Sequence, residues 1–347
     1  MGLHFFVAVP RNCRFLVAAL LGMTIGTGMR NLGMRSRTGM EATMRRIVWM
    51  VSVTVLVGVG CCLAQVPDAG TRTQVVLLGV GNPNADPERS GPAVAIVVNG
   101  AAYLVDSGPG VVRRAAGAQK KGVSALEATN LKTVFITHLH SDHTLGYPDL
   151  IFTPWVLGRS EPLQAYGPRG LKDMTSHIEK AWKKDIYVRT HGLEEANRTG
   201  YKVVVHEIAP GVIYQDANVK VTAFPVHHGI WDQAFGYRFD TKDRSVVLSG
   251  DTRPVDSVVE ACNGCDILLH EVYNPNGEEL KTEHWKKYFS DFHTSPEELG
   301  EIARRAHPKL LVLYHMVLEK LPEEDLVEQV RKAYAGKMAV GRDLEIY

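Results

Sequence analysis

Cysteine is scarce beyond residue 64: of five in the chain, only Cys262 and Cys265 remain there, in "ACNGCD". That scarcity excludes a disulfide-stapled framework and leaves no thiolate set for a closed structural zinc site. The pair itself has two readings, a small-loop disulfide or two small buried residues at a helix end. A large positive charge is missing too, since 39 Lys and Arg against 38 Asp and Glu give +1. The first 64 residues contain seven arginines, no lysine and one acid, so the remainder carries about −5. Such a domain lacks the overall basic footprint of a nucleic-acid binder, although a local patch remains compatible with it. After residue 72 the sequence has no repeat and no low-complexity linker, so nothing marks a domain break.

The N-terminal part has a different character. Residues 44–64, "MRRIVWMVSVTVLVGVGCCLA", have a basic start at Arg45 and Arg46, an apolar run and a small-residue end. Cys62 and Ala64 stand at positions −3 and −1 relative to Gln65, as signal peptidase prefers. This predicts an export signal starting at Met44 and a periplasmic or extracellular mature chain. A non-functional leader implies a cytoplasmic one. Upstream, "RFLVAALLGMTIG" is shorter than the roughly twenty residues of a membrane span, and no stable span is expected in the mature chain. The expected organisation is a leader over 1–64, a short linker over 65–72 and one domain over 73–347.

Within that domain, short β-branched runs alternate with helical patterns such as "SPEELGEIARRA" and "PEEDLVEQVRKAYAG", which predicts an α/β domain. Ser295, with Pro296, Glu297 and Glu298 after it, reads as a helix N-cap. The residues just past the strands carry the chemistry. "KTVFIT" runs into His138, "KVTAFPV" into His227 and His228, "SVVLSG" into Asp251, "KLLVLY" into His315 and "AYLV" into Asp106. Residues just beyond strand ends converge on one sheet edge. In "THLHSDH", His138 and His140 are two apart and point the same way on an extended segment, with Asp142 and His143 next. Imidazoles with a few carboxylates suit zinc, with manganese or iron as alternatives. The number of ligands fits two divalent ions, which would activate a bridging water and stabilise a leaving oxygen.

These motifs resemble the metallo-β-lactamase superfamily, an αββα four-layer sandwich. Within it, "DSGPG", "THLHSDHTLG", "YGPRGL", "AFGYRF", "SGDTRP", "HEVY" and "FHTSPEE" resemble the ribonuclease Z-like and arylsulfatase-like hydrolases, over nearly all of residues 73–347. The resemblance implies one metal on His138, His140 and His228 and a second on Asp142, His143 and His315, with Asp251 bridging. His228 is preferred to His227 because it directly precedes the glycine. Asp106 is implied to order the ligand loop by hydrogen bonds. "LLHEVY" and "FHTS" imply Glu271 and His293 as a proton-transfer pair, and Asp142 is placed with them in the catalytic set.

The resulting expectation is an exported binuclear hydrolase of small esters (sulfate, phosphate or carboxylic), with nucleic acid an unfavoured partner and a homodimer by analogy with relatives. The alternative is a ribonuclease Z-like endonuclease that processes tRNA 3′ ends. Against it stand the leader, the acidic balance, and the segment 171–205, which has "KAWKKD" but no long Gly/Pro-rich protrusion.

Overall fold

In the computed structural model of the chain, residues 72–277 and 279–347 are described. The leader, and all but the last residue of the expected linker, lie outside the described residues. Thirteen strands form two sheets among these residues. The first runs in spatial order β1 (Gln74–Gly79), β2 (Ala93–Val98), β3 (Ala101–Val105), β4 (Thr133–Phe135), β5 (Leu163–Gly167) and β6 (Val203–Glu207). Strands β1 to β3 are antiparallel, and β3 to β6 pair in parallel. The second sheet contains β7 (Gly211–Gln215), β8 (Val219–Pro225), β9 (Phe235–Thr241), β10 (Ser245–Leu248), β11 (Ile267–Tyr273), β12 (Leu311–Val317) and β13 (Met338–Val340), paired in sequence order. It is antiparallel from β7 to β10 and parallel from β10 to β13.

The layers explain why β1 and most of β12 are apolar on both faces. Successive side chains of a strand point to opposite faces. In β1, Val75 and Leu77 enter the core between the sheets, whereas Val76 and Leu78 face a helical layer. In β12, Val312 and Tyr314 face inward and Leu311 and Leu313 face the other helical layer. Both faces are covered, so an alternating polar residue has no place. Helices α1 (Val111–Lys120), α3 (Tyr147–Val156) and α4 (Leu171–Ala181) pack on the first sheet. Helices α6 (Asp256–Cys262), α8 (Pro296–Ala306) and α9 (Glu323–Ala333) pack on the second. This is the αββα sandwich. The remaining helices are α2 (Ser141–Thr144), α5 (Lys183–His191) and α7 (Glu283–Phe292).

The expected cap of α8 is a full capping box, in which the Ser295 side chain accepts from Glu298 N and Glu298 reaches back to Ser295 N. Cys262 and Cys265 are joined in a disulfide across a turn made by Asn263 and Gly264. Their side chains are also buried in the core under α8, so the two readings of this pair hold together. No helix among the described residues is long and apolar enough to cross a membrane.

Candidate metal centre

One edge of the sandwich collects the residues that come after β3, β4, β8 and β10. His315 arrives differently from the sequence expectation, because β12 does not end at Tyr314 but continues to Val317. Pairing with β11 shifts register between His270 and Val272, and His315 sits in the bulge with φ 47. A bulge re-aims one side chain without ending the strand. It turns His315 toward the cluster. Gly229 serves His228 in a similar way: it takes φ 56, and a Cβ there would lie 1.9 Å from the Phe292 ring.

Two groups of ligand-type atoms form here, each within 4.8 Å: His138, His140, His228 and Asp251, then Asp142, His143 and His315. Asp251 stands between them, 3.5 Å from His143 Nε2, 3.4 Å from His315 Nε2 and 4.0 Å from His228 Nε2. All except His140 are buried. Hydrogen bonds behind the rings fix which nitrogen faces inward. His228 Nδ1 donates to the Phe292 carbonyl at 2.7 Å, and His143 Nδ1 donates to Asp106 at 2.8 Å. His138 Nδ1 donates to Thr137 Oγ1, which in turn donates to Asp106. Each directs its Nε2 at the cluster. Asp106, at φ 61 after β3, also accepts from Thr137 N at 2.8 Å, so it orders the loop as the resemblance implies.

Electrostatics split the histidines. Burial holds His138 well below the ordinary imidazole range, lowers His140, and takes His228 down to about 3. These three present neutral lone pairs. Burial also opposes charge on His143 and His315, but Asp251 and the neighbouring carboxylates outweigh it and raise both. Burial similarly works against charge on Asp142 and Asp251, yet His143 and His315 keep both carboxyls ionised. Three buried atoms of the cluster have no hydrogen-bond partner: His315 Nδ1 and the facing pair His143 Nε2 and Asp251 Oδ1. Leaving such atoms unpaired is costly. A cation between the facing pair satisfies both, so the residues fit a divalent metal.

Beside the cluster, His293 Nδ1 lies 3.3 Å from Glu271 Oε2, and Glu271 Oε1 accepts from Thr294 N at 2.9 Å. Burial and the Asp251 charge raise Glu271 well above its ordinary value, while burial lowers His293 to about 4. Both shifts favour the neutral form of the group concerned. The structure thus brings together every predicted site residue. It separates only the rival His227, which faces outward and donates to Asp291 at 3.0 Å.

Sequence reasoning passed over His270, fully buried, with Nδ1 donating to the Glu271 carbonyl at 2.7 Å. Its position next to Glu271 inside a buried strand was the available signal. Trp231 borders the site: its indole N–H donates to His140 Nε2 at 3.0 Å. A groove of about 480 Å³ opens beside Asp142, lined by Asn82, Arg89, Ser90, Ser141 and Leu145 among others.

Residues 102–316 match the family described as beta-lactamase superfamily domain. A protein named ribonuclease Z from Mycobacterium bovis (strain BCG / Pasteur 1173P2) is 33% identical over 276 residues, covering 78% of this chain and 96% of that one. The chain belongs to the metallo-β-lactamase superfamily, in its ribonuclease Z-like branch. Among solved structures, the metallo-beta-lactamase fold protein YhfI from Bacillus subtilis has TM-score 0.61 at 17% identity, covering 79% of this chain and 98% of that one. Human tRNase Z, short form, has TM-score 0.59 at 24% identity, over 79% and 98%. Both likenesses concern the fold.

Membership in a superfamily of metal-dependent hydrolases agrees with the cluster. The choice of an exported hydrolase of small esters is overturned by the ribonuclease Z relatives, which align over nearly their whole length. With it go the arylsulfatase-like label and the low rank given to nucleic acid. The case against RNA had rested on the leader, the segment 171–205 and the charge sum, and a sum over the chain is a weak guide where recognition depends on local surface.

Proposed function

We propose that this protein is a metal-dependent phosphodiesterase of the ribonuclease Z type, cutting RNA at the 3′ side of precursor tRNA. The observation that carries the reading is the ribonuclease Z similarity over 96% of the relative's length. It is supported by two ligand groups with Asp251 between them, all but His140 buried, lying beside the Glu271–His293 pair.

In this reading His138, His140 and His228 hold one cation and Asp142, His143 and His315 a second, with Asp251 between. Zinc suits the nitrogen-rich set best. Divalent cations held there supply Lewis-acid activation of a water and of the phosphoryl oxygens. The chain's own residues do the rest. Asp106 and Thr137 keep the imidazoles turned inward. His293 gives a proton to the departing 3′ oxygen, and Glu271 orients its ring through Nδ1. The groove beside Asp142 provides room for the RNA strand.

The test is cleavage of a precursor tRNA carrying a 3′ trailer, run beside p-nitrophenyl sulfate and an acyl ester. Endonucleolytic release of the trailer is expected. Turnover of the sulfate or acyl ester with the RNA left intact would overturn the reading.

A further inference from the structure

Helix α7 carries Trp285, Tyr288, Phe289 and Phe292 at spacings of three and four, which form one aromatic stripe. Its members do different things. Phe289 is buried, stacks on Tyr273 at 5.0 Å and closes a small core with Leu280 and Val317. Phe292 packs its edge on His228 at 4.9 Å. Tyr288 is half-buried and stacks on Phe292 at 4.3 Å, with its ring 6.1 Å from that of His293. The His293 ring lies 5.2 Å from His228 and 6.3 Å from His315, one member of each ligand group. The phenol therefore borders the centre next to the proton-transfer pair.

Its hydroxyl forms no hydrogen bond among the described residues. Burial raises its pKa above the usual phenol value, and the charges of Asp251 and Asp142 act in the same direction. A residue needed only for packing can be phenylalanine, as at 289 and 292. At 288 the stripe places a proton donor that stays protonated and has no partner among the described residues.

We propose that Tyr288 is a further catalytic residue, whose hydroxyl donates a hydrogen bond to a non-bridging oxygen of the scissile phosphate. The inference rests on the phosphodiester reading above. No bond to Tyr288 forms or breaks, and the proton for the leaving oxygen still comes from His293. The phenol stabilises charge that grows on phosphorus-bound oxygen in the transition state, where one well-aimed donor contributes about 10²-fold or more.

The test uses the full, metal-loaded chain with two substrates, precursor tRNA and bis(p-nitrophenyl) phosphate. Tyr288→Phe keeps the ring and its stack. Its kcat should fall about 10²-fold or more on both substrates, with KM, metal content and Tm close to wild type. The nitrophenolate leaves without help from an acid, so a tyrosine that acted only through His293 would show its loss on RNA alone. Trp285→Leu removes packing against Tyr288 but no donor, and should leave turnover within about threefold of wild type, since only a directed donor contributes at that scale. Three results overturn the proposal: Tyr288→Phe within twofold of wild type on the diester, a loss confined to RNA, or an equal loss in Trp285→Leu. Wild-type protein that cleaves the diester and spares the RNA refutes the tRNA reading alone, and Tyr288 is then judged on the diester. Cleavage of neither substrate sinks both.

Discussion

His227 and His228 are adjacent and chemically identical, yet their surroundings assign them opposite fates. His228 is buried, with Nδ1 spent on a backbone carbonyl and Nε2 3.0 Å from His140 Nδ1. His227 reaches a surface aspartate that Arg253 also holds. His228→Ala should lose metal from the first group and reduce activity by about 10²-fold or more, whereas His227→Ala should keep both its metal content and its activity. Elemental analysis beside rate measurement decides this, and equal losses would reverse the assignment. Trp231 allows a second prediction. Its N–H donates to His140 Nε2, which places the neutral ring's proton on Nδ1, between His138 Nε2 and His228 Nε2. With a cation held among those nitrogens, His140 would give up the Nδ1 proton and carry its proton on Nε2, and the indole bond would be lost. Titrating metal into stripped protein should change tryptophan fluorescence, and Trp231→Phe should abolish the change; a flat titration contradicts the idea. At this scale the ligands were legible because metal chemistry restricts residue type and spacing. Tyr288 was not, because an aromatic on a helix is ordinary until its neighbours in space are known.

Elements set the precision of the centre. The segment from His293 to Ser295 links α7 to α8, and the capping box at Ser295 fixes where α8 starts. Ser295→Ala should cost about 1 kcal/mol of stability. It should also slow turnover, because Thr294 N next door is one of the donors that hold Glu271. Chemical denaturation and kinetics measured together test both effects. On the opposite edge of the sandwich, Asp216 at the β7–β8 turn accepts from Tyr103 at 2.5 Å, Tyr214 at 2.9 Å and two backbone amides. Partial burial opposes its charge, but the Tyr103 hydrogen bond and the other donors outweigh that and depress its pKa. A depressed carboxylate stabilises the fold above its unfolded pKa, and that contribution disappears as pH falls through the folded value. Asp216→Asn should therefore lower Tm by roughly 2–5 °C at neutral pH and lose less on acidification than wild type. A constant Tm difference from pH 7 to pH 3 would contradict this. The strands buried on both faces were legible as apolar runs. Strands β6 and β7 were not, since they are half-exposed and mix Val with His, Glu and Gln. The bulge at His315 leaves no sequence mark at all, because it is defined by pairing with β11.

For the whole molecule, the remaining tension is that an acidic domain is proposed to act on RNA. Much of its surface cation is already matched: Arg113 with Asp149, Arg169 with Asp232, Arg189 with Asp185 and Glu194, and Arg253 with Asp291. Exposed pairs of this kind add little stability, but they lower the number of free charges that can displace counterions from a phosphate backbone. The fold and the ligand set could be inferred from local motifs, whereas the substrate depended on how charge is distributed over the surface, which a sum conceals. If recognition rests on the metal cluster and about two or three cationic contacts, the salt dependence of RNA affinity should be shallow. Raising salt from about 50 to 200 mM should then weaken binding only about ten- to fortyfold. Fluorescence polarisation with labelled precursor tRNA and the metal-loaded chain measures this directly. A loss near 10³-fold would mean a continuous cationic strip of six or more contacts, and the matched surface pairs would then have to open when RNA binds.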